Sequence, residues 1–266
     1  MPTIFITGAS SGLGKATANL FAARGWNVIA TMRHPEHETE LTQVPGVLLL
    51  PLDVTNLAQI EATVQRAIAL HPIDMVFNNA GYGLIGALEA VSDEQITQLV
   101  NTNLLGVIRV TKSFLPHLRE KRSGRIISTT SIGGLIAFPL YSLYHATKWA
   151  IEGWSESMSF ELARHNIGIK TVSPGGIATD FTGRSLQVAE HEAYADLLQQ
   201  LMTGQDSSAQ AQFSSPEAIA AVVYEAATDQ KDQLRYQAGD DAVIIYAQRL
   251  AAGPEAFRQG VAAQFA

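Results

Sequence analysis

The chain begins with the pattern of a strand, a glycine-rich turn and a helix. Residues 3–7 are apolar or β-branched, and the turn follows at once, with glycines at positions 8, 12 and 14. Apolar residues then recur at helical spacing as far as Arg24, where Gly25 ends the helix. A second strand is predicted over residues 27–31, which requires a right-handed parallel crossover. The chain is therefore expected to begin a parallel α/β sheet.

The glycine turn has the composition of a dinucleotide site. A Cβ there would block both the tight bend and the approach of a pyrophosphate to the backbone amides at the helix N-terminus. The spacing is Gly-x-x-x-Gly-x-Gly, which differs from the best-known Gly-x-Gly-x-x-Gly fingerprint. A lone glycine turn is more often only a turn, but its place between a strand and an amphipathic helix favours nucleotide binding.

The end of the second strand indicates which dinucleotide is bound. NAD sites carry Asp or Glu there to bind the ribose hydroxyls, whereas a 2′-phosphate calls for a cation. This chain has Met32 and Arg33, with no carboxylate before Glu36. We interpret Arg33, helped by the hydroxyl of Ser11, as the seat of the 2′-phosphate of NADP(H). The alternative is a solvated arginine at a strand end.

Strands and helices alternate along the rest of the chain. Further strands are predicted at residues 47–50, 74–78, 125–129, 167–172 and 234–237, and helices at 56–70, 93–115, 141–165 and 216–228. Residues 181–214 show no strand pattern, only some helical spacing between 191 and 202. With 47% hydrophobic and 16% charged residues, the chain suits a sheet covered on both faces. The prediction is a single-domain, Rossmann-type doubly wound parallel sheet of about seven strands, with helices on both faces.

Polar motifs follow several strands, where ligands bind in open α/β sheets. Asp53 could accept from an adenine amino group or could cap a helix. The segment 79–81 (Asn-Ala-Gly) follows the fourth strand, Ser131 the fifth and Pro174 the sixth. One edge of the sheet is therefore expected to carry the site.

Two asparagines interrupt the long helix that the capping box of Ser92 and Gln95 begins. Asn101 and Asn103 fall in its middle, where asparagine is a poor helix former and a buried amide needs partners. One of the two is expected to serve chemistry.

Tyr144 and Lys148 form a Tyr-x-x-x-Lys pair at the start of the next helix. Residues four apart lie on one helical face, so a phenol and an ammonium are held side by side. Such a pair usually lies only at the boundary between the polar and apolar faces of a helix. Here it stands in order with Asn103, Ser131 and the glycine turn, which favours an acid/base function.

Jointly, these motifs resemble the classical short-chain dehydrogenase/reductase family over roughly the first 180 residues. The matching segments are Thr7–Gly14, Asp53–Val54, Asn78–Gly81, Asn103–Gly106, Ser131, Tyr144 with Lys148, Pro174–Gly175 and Thr179–Asp180. Met32-Arg33 and residues 135–139 resemble the steroid- and retinol-dehydrogenase-like branch. His145 departs from the family, which usually has a small residue there. Three hydroxyls precede the helix, Thr129, Thr130 and Ser131, and the spacing to Tyr144 selects Ser131.

The resemblance implies an NADP(H)-dependent oxidoreductase that transfers hydride between the nicotinamide and a carbonyl or secondary alcohol. Tyr144 would be the general acid in reduction and the base in oxidation, because a reduced carbonyl develops alkoxide character. Lys148 would favour the phenolate of a tyrosine whose free pKa is about 10 and would bind the nicotinamide ribose. Ser131 would hydrogen-bond the substrate oxygen, so that Ser131 and Tyr144 bind substrate. Asn103 would hold a water that relays protons to Lys148.

The resemblance also implies a set of cofactor-binding residues. They are Gly8, Ser10, Ser11, Gly12, Leu13, Gly14, Arg33, Asp53, Val54, Asn79, Ala80, Gly81, Tyr144, Lys148, Pro174, Gly175, Ile177 and Thr179. NADP(H) is expected to be preferred over NAD(H), and residues 181–214 are expected to form a substrate-binding loop and helix. A homodimer or homotetramer is expected by the same resemblance.

Two other functions are known for chains with such a nucleotide turn. A non-catalytic NADP-binding regulator could lack the four catalytic residues, and their presence here argues against that function. An epimerase or dehydratase normally needs a larger C-terminal substrate region than the residues after Thr179 provide.

The composition bears on partners and location. A net charge of −7 disfavours nucleic acid and anionic membranes as partners. No signal peptide and no apolar run near the ~20 residues of a membrane span is found, so a cytoplasmic protein is expected. The chain has no cysteine, which excludes disulfides and thiolate metal sites, and no metal site is predicted.

Overall fold

The computed structural model describes residues 1–178, 186–203 and 213–266. Strand β1 (Thr3–Thr7), helix α1 (Gly12–Ala23) and strand β2 (Asn27–Met32) form the predicted parallel unit at the start of the chain. The two strands pair in register from Thr3 beside Asn27 to Thr7 beside Thr31. The predicted strand–turn–helix–strand unit is confirmed.

The remaining elements alternate as predicted. The further strands are β3 (Val47–Pro51), β4 (Met75–Asn78), β5 (Gly83–Gly86), β6 (Gly124–Thr129), β7 (Ile167–Pro174), β8 (Leu186–Ala189) and β9 (Arg235–Ala238). The further helices are α2 (Leu57–Leu70), α3 (Asp93–Val100), α4 (Gly106–Lys121), α5 (Ser142–Ala163), α6 (Ala195–Thr203), α7 (Pro216–Thr228), α8 (Asp240–Ala252) and α9 (Pro254–Gln264).

Seven strands form one sheet in the order β3-β2-β1-β4-β6-β7-β9, and every neighbouring pair is parallel. The chain builds outward from β1 in one direction and then in the other, so the strand order reverses between β1 and β4. In doubly wound sheets this switch point opens a crevice at the carboxyl ends of the strands. The predicted fold class is confirmed.

Helices cover both faces of the sheet. Successive side chains of β1 point to opposite faces, so they contribute to two separate hydrophobic clusters. Ile4 and Ile6 belong to a buried cluster with Phe21 of α1 and with α7 residues. Phe5 points to the opposite face, where its ring lies 4.8 Å from that of Phe114 in α4. Burial on both faces explains why the central strands read as continuous apolar runs.

The long helix predicted after Ser92 is wrong in one respect. The capping box of Ser92 and Gln95 is present, but a π-helical turn at Asn101–Leu105 separates α3 from α4. The Asn103 side chain, which is buried, bonds the backbone of another segment there. A π-turn of this kind is a frequent feature of functional sites.

Two strands and two helices were not predicted from the sequence. Strands β5 and β8 pair in parallel as a separate two-stranded sheet, and β8 lies inside residues 181–214, for which no strand was expected. Each has only four residues, and its partner lies about a hundred positions away in the chain. Helices α8 and α9 at the C-terminus were also missed. Of the helices in the described ranges, none has the length and apolar character to cross a membrane.

Candidate active site

A cleft of about 1160 Å³ opens at the carboxyl ends of the strands. Most residues predicted for the site line it. They are Gly8, Ser10, Ser11, Gly12, Leu13, Arg33, Asp53, Val54, Asn79, Ala80, Gly81, Ser131, Tyr144, Lys148, Pro174, Gly175 and Ile177. Gly14 and Asn103 are not among the lining residues, and Thr179 falls outside the described residues.

The glycine turn brings backbone to the cleft. Gly8 and Gly12 have φ of +67° and +52°, which side chains disfavour. Gly14 packs so closely that a Cβ would overlap the Gly8 carbonyl oxygen and lie 2.6 Å from Asn79 Nδ2. Ser11 is the N-cap of α1, but its hydroxyl makes no capping bond, and no acidic residue lies in the first turn. This helix N-terminus therefore fits an anionic pyrophosphate.

Asn79 ties the end of β4 to the glycine turn. Its Nδ2 donates to the carbonyls of Thr7 at 3.2 Å and Gly8 at 3.0 Å. The hydroxyl of Thr7 accepts from the backbone N–H groups of Asn79 and Ala80. The first and fourth strands are thus fixed to each other at the edge of the cleft.

Arg33 is exposed at the end of β2 and makes no ion pair with any described residue. The carboxylates that follow it are engaged elsewhere. Glu36 contacts His34 at 3.0 Å, and Glu38 and Glu40 bind Lys15 at 3.2 and 3.0 Å. The guanidinium is therefore available to an anionic group in the cleft.

Asp53 lines the same end of the cleft but does not cap a helix. Asn56 is the N-cap of α2 and accepts from the backbone N–H of Gln59. Asp53 Oδ1 instead accepts from the N–H and hydroxyl of Thr55, at 2.9 and 2.7 Å. Of the two roles considered for Asp53, the helix cap is wrong.

Lys148 is buried one helical turn beyond Tyr144 on α5. Its Nζ donates to the Thr129 carbonyl at 3.0 Å and lies 5.6 Å from the centre of the Tyr144 ring. Burial lowers the pKa of Lys148 to about 8, and the negative charge of Glu152 opposes this shift. The predicted pairing of phenol and ammonium is present.

Ser131 is the second polar side chain that acts on Tyr144. Its Oγ accepts from the Gly133 N–H at 3.0 Å, and its hydroxyl is directed to the Tyr144 phenol. Burial raises the pKa of Tyr144 to about 12, although the Ser131 hydrogen bond opposes the rise. The Lys148 ammonium was expected to favour the phenolate, but desolvation is the largest influence on the Tyr144 pKa.

Asn103 holds the turn after β4 with both polar atoms of its side chain. Oδ1 accepts from the Tyr82 N–H at 3.0 Å, and Nδ2 donates to the Tyr82 carbonyl at 2.8 Å. A Cβ placed on Gly81 would lie 3.1 Å from Oδ1 and 3.8 Å from Lys148 Nζ. Asn103 and Lys148 therefore border the same turn.

His145, for which the sequence offered no explanation, connects two segments of the cleft. Its Nε2 accepts from the Phe138 N–H at 3.0 Å. Nδ1 packs against Gly133 without a hydrogen bond of normal geometry. Burial lowers the pKa of His145 to about 4, and the Gly133 backbone partly opposes this, so the ring is neutral. The only sequence signal was that His145 stands where the family usually has a small residue.

Two carboxylates near the site were missed. Glu152 is buried beyond Lys148, and its spacing of four residues from the lysine could have revealed it. Asp241, at the start of α8, accepts from the Gly176 N–H at 2.7 Å and so holds the turn after β7. No sequence pattern links Asp241 to that turn, because the two lie 65 residues apart.

Comparison with known proteins identifies similar sequences and folds. The model of the short chain dehydrogenase family matches residues 2–190. An uncharacterized oxidoreductase of Schizosaccharomyces pombe is 38% identical over 218 residues, which cover 79% of this chain and 89% of that protein. A 3-ketodihydrosphingosine reductase of Bacteroides thetaiotaomicron is 38% identical over 197 residues, covering 73% of this chain and 71% of its own.

Solved structures of similar fold include further oxidoreductases of this kind. A short-chain dehydrogenase from Streptomyces avermitilis superposes with a TM-score of 0.85 at 32% identity, covering 94% of this chain and 92% of that one. ElxO with NADP bound gives 0.74 at 25% identity, covering 89% and 97%.

Proposed function

The chain belongs to the short-chain dehydrogenase family. We propose that it transfers hydride between NADP(H) and a carbonyl or secondary alcohol substrate, with Tyr144 as proton donor and acceptor. The observation that carries the proposal is the meeting of Ser131, Tyr144 and Lys148 in one cleft with the glycine turn.

Tyr144 has the protonation state that reduction requires. A carbonyl that accepts hydride becomes an alkoxide and must take up a proton. The phenol holds its proton at neutral pH, since the ordinary pKa of tyrosine is about 10 and burial raises that of Tyr144 to about 12. In oxidation the same oxygen would accept the proton of the alcohol.

Ser131 and Lys148 support this proton transfer. The Ser131 hydroxyl, whose oxygen is held by the Gly133 N–H, donates to the substrate oxygen and stabilises its developing charge. Lys148 gives one proton to the Thr129 carbonyl and keeps two for other acceptors, such as a ribose hydroxyl. Its positive charge stabilises the tyrosinate that proton donation leaves behind.

The cofactor residues fit NADP(H). When bound, NADPH supplies the hydride. The amides at the start of α1 would hold the pyrophosphate, and Arg33 with Ser11 would bind the 2′-phosphate. The NADP complex of ElxO supports this choice.

Asn103 is proposed to hold the turn at Tyr82 in addition to the relay water. Each polar atom of its side chain makes one bond to Tyr82, which leaves one acceptor and one donor position for that water. The side chain itself would position Gly81 and Tyr82 beside Lys148.

Substrate choice is proposed to reside in residues 181–214 of a single-domain chain, together with the C-terminal helices. Leu186 and Leu201 from that segment line the cleft, as do Ile245 of α8 and Phe265 after α9. Because one relative is named a 3-ketodihydrosphingosine reductase, long-chain 3-keto compounds belong in a substrate screen. Homo-oligomer formation and a cytoplasmic location remain parts of the proposal.

The test is the exchange Tyr144→Phe, assayed with NADPH and a panel of ketones and aldehydes. Loss of the transferable proton should lower kcat by about 100- to 10 000-fold, as for other general acids. NADPH binding, followed by its fluorescence, should persist. Tyr141→Phe is the matched control, since it removes a neighbouring phenol and should retain most turnover. Near-normal turnover of Tyr144→Phe would refute the assignment.

The same assay separates the alternatives. A reductase consumes NADPH in proportion to product, whereas an epimerase or dehydratase regenerates its cofactor and shows no net change in nicotinamide absorbance. A non-catalytic regulator would bind NADPH without turnover of any substrate in the panel.

A further inference from the structure

Glu152 is a buried carboxylate on the same face of α5 as Tyr144 and Lys148. It is 3% exposed. Its two oxygens accept four hydrogen bonds, to Oε1 from Thr130 Oγ1 (2.6 Å) and Ser173 Oγ (3.1 Å), and to Oε2 from Thr171 Oγ1 (3.1 Å) and Arg235 Nε (3.0 Å). A charge is tolerated at such depth only when it is paired and hydrogen-bonded in this way.

The donors to Glu152 belong to the segments that form the proposed site. Thr130 directly precedes Ser131, and Ser173 directly precedes Pro174 at the other wall of the cleft. A Cβ on Gly134 would lie 3.3 Å from Glu152 Cγ, so the side chain also packs against the turn after Ser131. One carboxylate therefore joins the catalytic helix to the ends of β6 and β7.

Glu152 also lies four residues beyond Lys148 on the same face of α5, and both side chains are buried. The lysine bonds a neutral carbonyl and has no carboxylate within ion-pair distance among the described residues. Its burial is opposed electrostatically by Glu152. Arg235 faces Glu152 from β9, and its other side binds the exposed Glu156 at 2.5 Å. Removing the Glu152 charge would leave the ammonium of Lys148 buried without this opposing charge.

We propose that Glu152 is a positioning residue for the proposed reaction, which orients Thr130 and Ser131 against α5 and places a negative charge one helical turn beyond the buried Lys148. The proposal rests on the function proposed for Lys148, but the protonation of that lysine can be measured without any substrate.

The experiment follows lysine titration by NMR in protein carrying ¹³C-labelled lysine, with the Lys148 signal assigned from Lys148→Arg. In Glu152→Gln, which keeps the size of the side chain and removes its charge, the titration midpoint of Lys148 should fall by about half a pH unit or more. A merely loosened site would instead hydrate the lysine and move the midpoint upward. An unchanged or raised midpoint overturns the proposal.

Glu156→Gln is the matched control. It removes the same charge from the same helix and from the same arginine, but at an exposed position one turn further from Lys148. Its midpoint should equal that of the wild type, and a fall as large as in Glu152→Gln would overturn the proposal.

If Glu152→Gln does not fold, the arginine provides the second test. Arg235→Gln leaves Glu152 without its counter-charge and should raise the Lys148 midpoint, whereas Arg235→Lys should retain it. Equal midpoints in these two variants would contradict the proposal.

Activity then connects the charge to the reaction. The fall of kcat at high pH should occur at lower pH in Glu152→Gln than in the wild type. In Glu152→Asp it should occur at the wild-type pH. Failure of Tyr144→Phe to lose turnover would refute the proposed function while leaving the NMR result intact. If turnover depends on Tyr144 but the Lys148 titration midpoint is the same in Glu152→Gln as in the wild type, only the role of Glu152 is refuted.

Discussion

At the scale of single residues, Arg33 bears most directly on the cofactor. The acidic residues after it are paired with His34 and Lys15, so its charge is not neutralised by its neighbours. Met32, in contrast, is buried at the end of β2, where an aspartate would destabilise the core as well as change the cofactor site. Arg33 is therefore the cleaner position at which to test cofactor choice.

Arg33→Ala should raise the KM for NADPH by roughly tenfold to hundredfold, the equivalent of one or two hydrogen bonds to a charged group. The KM for NADH should hardly change, since NADH has no 2′-phosphate. Steady-state kinetics with both cofactors measures the effect, and Arg66→Ala, an exposed arginine on α2, is the control. Equal losses for the two cofactors would show that Arg33 does not bind the 2′-phosphate.

Among the secondary-structure elements, α1 and α5 each contain a glycine, and the two glycines differ in the space around them. In α1, a Cβ at Gly14 would overlap the Gly8 carbonyl, which belongs to the backbone and cannot turn aside. In α5, Gly153 is exposed and has no heavy atom within 4 Å of the Cβ position. The same substitution should therefore have opposite effects in the two helices.

Gly14→Ala should weaken NADPH binding severely and lower the thermal midpoint, because α1 could no longer approach the turn. Gly153→Ala should leave NADPH binding unchanged and stabilise the protein by up to about 1 kcal/mol, the usual gain of alanine over glycine within a helix. Calorimetry and NADPH fluorescence titration measure both effects. Tolerance of Gly14→Ala would contradict the packing described for the turn.

At the scale of the whole molecule, a buried polar cluster fastens the last strands of the sheet to α7. Lys170 of β7 donates to Asp229 at 2.7 Å and to the Tyr236 hydroxyl of β9 at 2.8 Å. Burial alone would raise the pKa of Asp229, but the bonds from Lys170 and Tyr236 lower it to about 2. Since this value lies below the unfolded value of 3.8, the stabilisation is complete above that pH and is lost as the pH falls toward 2.

Lys170→Met should lower the free energy of unfolding at pH 7 by about 3 kcal/mol, because Asp229 would remain charged in a buried site. Near pH 2 the difference from the wild type should shrink, since Asp229 is then about half protonated in the wild type and more so in the variant that lacks Lys170. Urea unfolding at both pH values provides the measurement. Arg258→Met, which breaks the exposed pair with Glu255, should have little effect at either pH. A Lys170→Met penalty that did not depend on pH would contradict the electrostatic explanation.

Local patterns were enough to predict most of the fold. Strands buried on both faces, the glycine turn and the Ser92 capping box each have signals a few residues long, and all were located from the sequence. The two-stranded sheet of β5 and β8 and the C-terminal helices lacked such signals, because short strands paired across a hundred residues leave no periodicity. The π-turn at Asn103 was missed for a related reason, since its cause is a bond to Tyr82 on another segment.

The doubly wound fold and the residues proposed for catalysis could be predicted from the sequence, because both leave motifs at regular spacing along the chain. The environment of those residues became known only with the folded structure. Burial raises the pKa of Tyr144 and lowers those of Lys148 and His145, and Glu152 receives hydrogen bonds from three strands or strand ends. Desolvation and buried charge depend on every neighbour in space, and most of those neighbours are distant in the chain.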